Sequence, residues 1–258
     1  MIPKIIHYCW FGGRPLPEDA KKYIESWKKY CPDYEIREWN ESNFDIDLYP
    51  FTREAYDSRK FAFVTDVVRL YALYNFGGIY MDTDVEVLRP LDPFLRHKAF
   101  SGFEDDTHVP TGIMASEKGS IWAKENLDYY DGRHFITGNG NPDIVTNVEI
   151  ITSYMREKGL KCDNSYQDFD NLITIYPKDY FCPKSHETGK IHLTDNTATI
   201  HHFAGSWLSD IEAEALKVSR RLHRLPEGMR IYVSKFIAFI KVKGLQAALR
   251  QTWDRITR

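Results

Sequence analysis

The chain has 258 residues, 43% of them hydrophobic, which suits one sizeable domain with its own core. A net charge of −3 argues against a dedicated nucleic-acid binder, and we expect no nucleic-acid partner. No apolar run approaches the roughly 20 residues that span a bilayer, and the N-terminus lacks a basic-then-apolar leader. We therefore expect a cytoplasmic protein, with its four cysteines as free thiols.

The first forty residues predict a strand, a helix and a second strand. Residues 4–10 form a short apolar run that ends at a Gly-Gly pair, as is typical of a buried strand followed by a tight loop. Residues 17–30 have helical spacing, and residues 34–39 alternate in polarity. This order predicts an α/β fold with a mainly parallel sheet.

A helix is predicted from residue 58, with Ser58 as its N-cap and Gly77 as its stop. Residues 79–81 then predict a strand. Further along the chain, the patterns predict short strands at 99–103, 112–115 and 199–203, and helices at 121–130 and 145–158.

Charged residues stand on both sides of the strand predicted at 79–81. Asp66 and Arg69 are three apart, so a helix would place them on one face. In strand-like alternation, Asp82, Asp84 and Glu86 would point the same way. Carboxylates beyond a strand's carboxyl end are suitable ligands for Mg²⁺ or Mn²⁺ beside a diphosphate. The plainer alternatives are a surface ion pair and a chance D-x-D.

The joint order of these motifs carries a resemblance. T-D-x-x-R at 65–69, G-G-I-Y at 77–80 and D-T-D at 82–84 follow an opening IPKIIHYCWFGG, and IHHFAGSW stands at 200–207. Together these blocks resemble glycosyltransferase family 32, the sugar transferases with a D-x-D motif. That family includes yeast-type initiating α-mannosyltransferases and bacterial capsule or lipopolysaccharide transferases, and the glucosylating domains of clostridial toxins are distantly similar.

The resemblance implies a GT-A fold, a Rossmann-like α/β sandwich, which we place at residues 1–210 with a basic helical extension at 211–258. It implies a retaining transfer, dependent on Mn²⁺ or Mg²⁺, from a nucleotide-sugar donor to a glycan or lipid-linked glycan in surface polysaccharide synthesis. A UDP-sugar is the favoured donor, with a GDP-sugar as the second choice.

The resemblance also implies site residues. Asp66, Arg69, Asp82 and Asp84 would form the catalytic set. Trp10 would stack on the base, with a core tryptophan as the alternative. The remaining donor contacts would come from Thr65, Tyr80, Ser206 and Trp207.

A histidine near the C-terminus would complete the metal site that Asp82 and Asp84 begin. Adjacent residues of a strand point opposite ways, so only one of His201 and His202 can face the ion. The resemblance of H-F-x-G at 202–205 to the family's histidine motif favours His202.

The extension at 211–258 differs in charge from the rest of the chain. It holds eleven Lys or Arg against four acids, a net of +7, which leaves −10 on the other 210 residues. Residues 230–258 combine this charge with apolar residues at partly helical spacing, which predicts a basic amphipathic helix on the cytoplasmic face of an anionic membrane. The alternative is a helical cap whose basic face is only solvated.

Two other functions remain open from the sequence. A nucleotide-sugar hydrolase would use the same residues, with water in place of the acceptor. A catalytically silent sugar- or membrane-binding protein would have no need of the D-x-D and Arg69, and both are present.

Overall fold

A computed structural model describes residues 1–205, 208 and 210–244. The chain divides into two compact units. The first comprises Met1–Lys184 and His192–His202, and the second comprises Ser185–Ile191 together with the described part of Phe203–Arg258. The second unit thus includes a segment that precedes residue 211, and the division into 1–210 and 211–258 stays a prediction.

The first unit is built on one large sheet and a small two-stranded one. The strands are β1 (Ile5–Cys9), β2 (Glu35–Trp39), β3 (Gly78–Met81), β4 (Val85–Val87), β5 (Ala99–Gly102), β6 (Ile113–Ser116), β7 (Gln167–Asp168), β8 (Thr174–Tyr176) and β9 (Thr199–His201). Seven of them form the order β2-β1-β3-β6-β5-β8-β7, while β4 pairs with β9 in antiparallel fashion.

Helices cover both faces of the large sheet. In the first unit these are α1 (Glu18–Tyr30), α2 (Pro50–Asp57), α3 (Phe61–Phe76), α4 (Ile121–Asp128), α5 (Asn147–Glu157) and the single turn α6 (Lys178–Phe181). Side chains of β3 alternate between two buried clusters: Tyr80 packs with residues of α3, and its neighbours Ile79 and Met81 pack with Trp27 of α1. The α/β sandwich expected of a GT-A fold is therefore confirmed.

The sheet is mixed rather than mainly parallel. β1 runs parallel to β2 and β3, but β6 is antiparallel to both β3 and β5. The chain returns from β5 to β6 through a loop with no helix, and a direct return joins antiparallel strands, whereas parallel neighbours need a crossover.

The start of α3 also differs from the sequence-based expectation. Ser58 is the C-cap of α2, and α3 begins at Phe61 after Arg59, whose φ is 55°. The predicted stop of α3 is confirmed: Gly77 has a φ of 67°, and its N–H donates to the carbonyl of Leu73. Gly can adopt this left-handed conformation without a Cβ penalty.

The second unit contains α7 (Asp210–Arg221) and α8 (Glu227–Lys243). The guanidinium Nε of Arg220 donates to the carbonyl of His186 and joins α7 to the segment 185–191. Among the described residues, none of the helices has the length and apolarity needed to cross a membrane. Residues 245–258 of the predicted amphipathic helix lie outside the described part of the chain.

Candidate metal centre

The D-x-D stands at the carboxyl edge of the large sheet. Asp82 follows β3 directly, its N–H donates to the carbonyl of Gly112, and its own carbonyl accepts from Val85 in a turn that leads into β4. β1 is parallel to β3, so Trp10, which follows β1, lies at the same edge. This is where open α/β sheets bind ligands.

Asp82, Asp84 and His201 form a compact cluster, with one potential ligand atom from each within 4.8 Å of the others. The Nε2 atom of His201 lies 3.4 Å from Asp84 Oδ1 and 3.8 Å from Asp82 Oδ2. Pairing of Val85 with His201 across β4 and β9 brings these distant segments together. Two carboxylates and an imidazole are an acceptable ligand set for Mn²⁺, and the carboxylates also suit Mg²⁺.

The charges of the cluster favour a cation. Burial lowers the pKa of His201, but the nearby Asp84 carboxylate outweighs it and holds that pKa well above its usual range. A position that favours a protonated ring despite burial is one where positive charge is stabilised. A divalent ion would supply that charge, so the residues present fit a metal.

His202 faces away from this cluster. Its Nε2 lies 2.8 Å from a carboxylate oxygen of Glu86, and its ring stacks on Tyr23 at 4.5 Å between centroids. The sequence-based preference for His202 as the metal ligand is therefore reversed in favour of His201. The turn after Asp82 breaks the strand alternation. Glu86 therefore points to a different side from Asp82 and Asp84, contrary to the sequence-based expectation.

Arg69 joins α3 to the D-x-D. Its Nη2 lies 3.3 Å from Asp66 Oδ1 and 3.3 Å from Asp82 Oδ1, and its guanidinium covers the Tyr80 ring at 4.7 Å. The Tyr80 hydroxyl donates to Asp82 Oδ1 at 2.9 Å, and Thr65 Oγ1 accepts from Arg69 Nη2 at 3.2 Å.

This network is not the surface ion pair considered from the sequence. The side chains of Asp66 and Arg69 are only 12% and 11% exposed. Burial raises the pKa of Asp66 to about 6, although Arg69 opposes that rise. Buried charges need partners, and Arg69 has two carboxylates.

Two residues near the cluster had no signal in the sequence. Glu104 Oε1 lies 3.6 Å from Nδ1 of His201, and burial raises the pKa of Glu104 to about 7. Gly112 packs on the imidazole, since a Cβ built there would lie 3.0 Å from His201 Cγ. Both positions approach the histidine only through the pairing of β5 with β6 and of β4 with β9, which local motifs do not reveal.

The structure describes only some of the other residues that were predicted to contact the sugar donor. Trp10 is half-buried, and its Nε1 donates to the carbonyl of Arg14 at 2.5 Å. Tyr80 is 2% exposed, and its hydroxyl donates a hydrogen bond to Asp82. Ser206 and Trp207 lie outside the described residues, and all four cysteines are free thiols.

Comparison with known proteins gives consistent similarities. Residues 17–101 match the model of a family described as a glycosyltransferase sugar-binding region containing a DXD motif. The chain is 35% identical over 122 residues to inositol phosphoceramide mannosyltransferase 3 of Schizosaccharomyces pombe, covering 46% of this chain and 34% of that protein.

A second relative is matched over more of its length. The chain is 33% identical over 172 residues to a glycosyltransferase of Acanthamoeba polyphaga mimivirus described as uncharacterized, covering 60% of this chain and 67% of that one. The solved PaToxG glycosyltransferase has a TM-score of 0.48 and 17% identity, covering 61% of this chain and 70% of that one. The chain spans about a third of the length of the curated yeast relatives that it matches.

Proposed function

The chain belongs to the family of glycosyltransferases whose sugar-binding region contains a DXD motif, and from that membership we propose that it transfers a sugar from a nucleotide-sugar donor to a carbohydrate acceptor with the help of a divalent cation. The observation that carries the proposal is the cluster of Asp82, Asp84 and His201 beside Arg69. A silent binding protein would have no need of a partly buried, cation-favouring site next to a buried guanidinium.

The proposed chemistry builds charge of both signs. Cleavage of the bond between the anomeric carbon and the diphosphate leaves negative charge on phosphate oxygens and positive charge on the sugar ring. Asp82, Asp84 and His201 would hold Mn²⁺ or Mg²⁺, which when bound neutralises phosphate charge. Arg69, fixed by its two carboxylates, would add a preorganised positive charge.

The proposal extends to the donor, the stereochemistry of transfer and the acceptor. We propose a UDP-sugar donor whose base stacks on Trp10, and transfer with retention at the anomeric carbon. The acceptor would be a glycan or lipid-linked glycan of surface polysaccharide synthesis, such as a capsule. The fungal relatives are named for mannose transfer to inositol phosphoceramide, which supports a lipid-linked acceptor and keeps GDP-mannose in the donor panel.

A binding and turnover experiment tests the proposal. Thermal melting of the full chain is measured with UDP- and GDP-sugars in Mn²⁺, in Mg²⁺ and in EDTA, since a ligand that binds the native state raises the melting temperature. Release of nucleoside diphosphate is then measured with and without acceptor. We expect metal-dependent binding of one donor and acceptor-stimulated release. Equal release without acceptor would point to a hydrolase, and no metal-dependent binding of any donor would contradict the proposal.

We further propose that the protein attaches peripherally to an anionic membrane surface, on the cytoplasmic face, through the helix that includes α8. In α8 the small residues Ser234 and Ala238 are buried, at 3% and 0% exposure, while large apolar ones face outward. Those outward residues are Met229, Tyr232 and Phe236, exposed by 56%, 69% and 42%.

The spacing and the flanking charge support a membrane as the partner of this face. Residues three and four apart on a helix share one side, so Met229, Tyr232 and Phe236 form one apolar stripe. Lys235 and Lys243 are exposed beside it. Apolar aromatic residues edged by lysines are typical of helices that lie in the interface of anionic lipids. Such attachment would bring the site to a lipid-linked acceptor.

A further inference from the structure

The two ring nitrogens of His201 face different acids. Nε2 lies toward Asp84 and Asp82, at 3.4 and 3.8 Å, while Nδ1 lies 3.6 Å from Glu104 Oε1. The histidine side chain is 11% exposed and that of Glu104 is 23% exposed, so water reaches this contact only in part. The ring therefore stands between the carboxylates of the D-x-D and a separate carboxylate.

The backbone holds Glu104 in this position. Its N–H donates to the carbonyl of His108 at 2.8 Å, and the preceding Phe103 donates to the carbonyl of Tyr176 at 2.9 Å. Asp105 Oδ1 accepts from the N–H groups of Thr107 and His108 and closes the turn that follows. The carboxylate is thus presented by a hydrogen-bonded turn at the end of β5.

The imidazole has little room to move. A Cβ on Gly112 would lie 3.0 Å from both His201 Cγ and Val85 Cγ2, so the glycine backbone and the Val85 methyl enclose one side of the ring. Backbone pairing of Val85 with His201 fixes the Cα position as well. What remains open is which of the two ring nitrogens carries the proton, because a neutral imidazole has two tautomers.

We propose that Glu104 is the positioning residue that settles this choice by accepting a hydrogen bond from Nδ1–H of His201. An imidazole that binds a cation through Nε2 must carry its proton on Nδ1. A carboxylate partner at Nδ1 fixes that tautomer, holds the ring in place and makes Nε2 a better ligand. The inference rests on the metal-dependent function proposed above.

The Cys182 thiol is a rival partner, since it also interacts with His201. A thiol is a weak hydrogen-bond group, whereas a carboxylate oxygen is a stronger acceptor. Cys182 is moreover directed toward the Lys184 carbonyl, 3.9 Å from its sulfur. The Cys182→Ala variant therefore distinguishes the two partners.

Metal affinity of the full chain is the first test. Mn²⁺ dissociation constants are measured by electron paramagnetic resonance for wild type, Glu104→Ala, Glu104→Gln and Cys182→Ala, with exposed Glu157→Ala as the matched control. Loss of an outer partner of a metal ligand costs about 10- to 100-fold in affinity, and we expect that for Glu104→Ala. Glu104→Gln retains an acceptor oxygen and should stay close to wild type, as should Cys182→Ala and the control.

The second test is the tautomer of the His201 ring. The Glu104→Ala substitution would leave that tautomer unchanged if Glu104 had only a structural role. In ¹⁵N-histidine-labelled protein with Mg²⁺, nuclear magnetic resonance should show His201 protonated at Nδ1 in wild type and a mixture of tautomers in Glu104→Ala. Wild-type Mn²⁺ affinity in Glu104→Ala would overturn the inference and leave the metal site standing. Equal losses in Glu104→Gln and Glu104→Ala would instead make Glu104 a direct ligand. Failure of wild type to bind Mn²⁺ would overturn both this inference and the proposed function.

Discussion

The guanidinium of Arg69 lies 3.3 Å from the carboxylate of Asp82, and this contact couples the buried helix α3 to the turn that carries the D-x-D. Asp66 holds the same guanidinium from one turn earlier in α3. Arg69 therefore orients Asp82, and the two carboxylates hold Arg69 in one geometry. Its positive charge is thus preorganised at the carboxyl edge of the sheet.

Arg69→Lys should lower turnover by about 10²-fold or more, the scale reported for preorganised electrostatic groups. A lysine has one nitrogen, whereas the guanidinium meets both carboxylates through Nη2 and also donates to the Thr65 carbonyl through Nε. Turnover and melting temperature are measured together, with Arg53→Lys, a partly exposed arginine paired with Asp47, as the control. Wild-type turnover in Arg69→Lys would make the residue a structural ion-pair partner only.

Asp84→Asn should nearly abolish turnover and leave the fold intact. The amide keeps the size of the side chain but removes the charge that a divalent ion requires beside His201. Turnover is measured at saturating Mn²⁺ alongside the melting temperature, and exposed Asp131→Asn serves as the control. Full activity of Asp84→Asn at high metal would show that Asp84 is not a ligand.

Local patterns predicted the residues that lie close together in sequence. Asp66, Arg69 and the D-x-D fall within one helix-turn-strand segment, and helical spacing alone placed the first two on one face. The choice between His201 and His202 depends on the register of β9 against β4, which spacing within either strand does not reveal. Glu104 comes from a third segment, so its approach to His201 depends on strand pairing across the fold.

The mixed character of the sheet was not predicted either, because it also depends on which strands pair. The order strand, helix, strand at the N-terminus is typical of parallel sheets, and β1, β2 and β3 obey it. The later strands are short apolar runs whose direction depends on the connection between them. Sequence patterns gave their positions but contained no information on which neighbour each would pair with.

His201→Ala should raise the Mn²⁺ concentration needed for half-maximal turnover more than His202→Ala does. The His201 ring faces Asp84, whereas the His202 ring is engaged by Glu86 and Tyr23. Turnover of each variant is titrated with Mn²⁺, and the two histidines serve as controls for one another. A larger rise in the Mn²⁺ requirement for His202→Ala would restore the ligand favoured by the sequence.

His7 should make the fold sensitive to acid. Its Nε2 lies 2.8 Å from the Gly77 carbonyl, while Nδ1 accepts from the Trp39 indole N–H. Burial disfavours the charged ring and lowers the pKa of His7 to about 4. A proton on Nδ1 would also place two donors against each other in the core. The unfolded chain binds this proton more readily, so the stability contributed above the unfolded pKa of about 6.5 is lost as the pH falls toward 4.

The size of this effect is roughly 3 kcal/mol at most for a shift of this extent. Asp66 and Glu104 act in the opposite direction, since their raised pKa values stabilise the fold as the pH falls. The His7 contribution is therefore isolated by urea unfolding of wild type and His7→Gln at pH 7 and pH 4.5, where the variant should lose less stability on acidification. A His7 resonance that titrates near 6.5 would contradict the assignment.

The apolar stripe of α8 should determine membrane attachment. Full-length protein is expected to co-sediment with phosphatidylcholine vesicles that contain phosphatidylserine and to remain soluble with phosphatidylcholine alone, because the exposed lysines need anionic lipid. Binding should fall as salt is raised. The double variant Tyr232→Ser and Phe236→Ser should lose binding, and a truncation that ends at Leu225 should lose it completely. The matched control replaces Ile121 and Leu193, exposed by 62% and 59% in the first unit, with serine. If full-length protein stays in the supernatant with anionic vesicles at low salt, the stripe is covered by protein and the helix is structural.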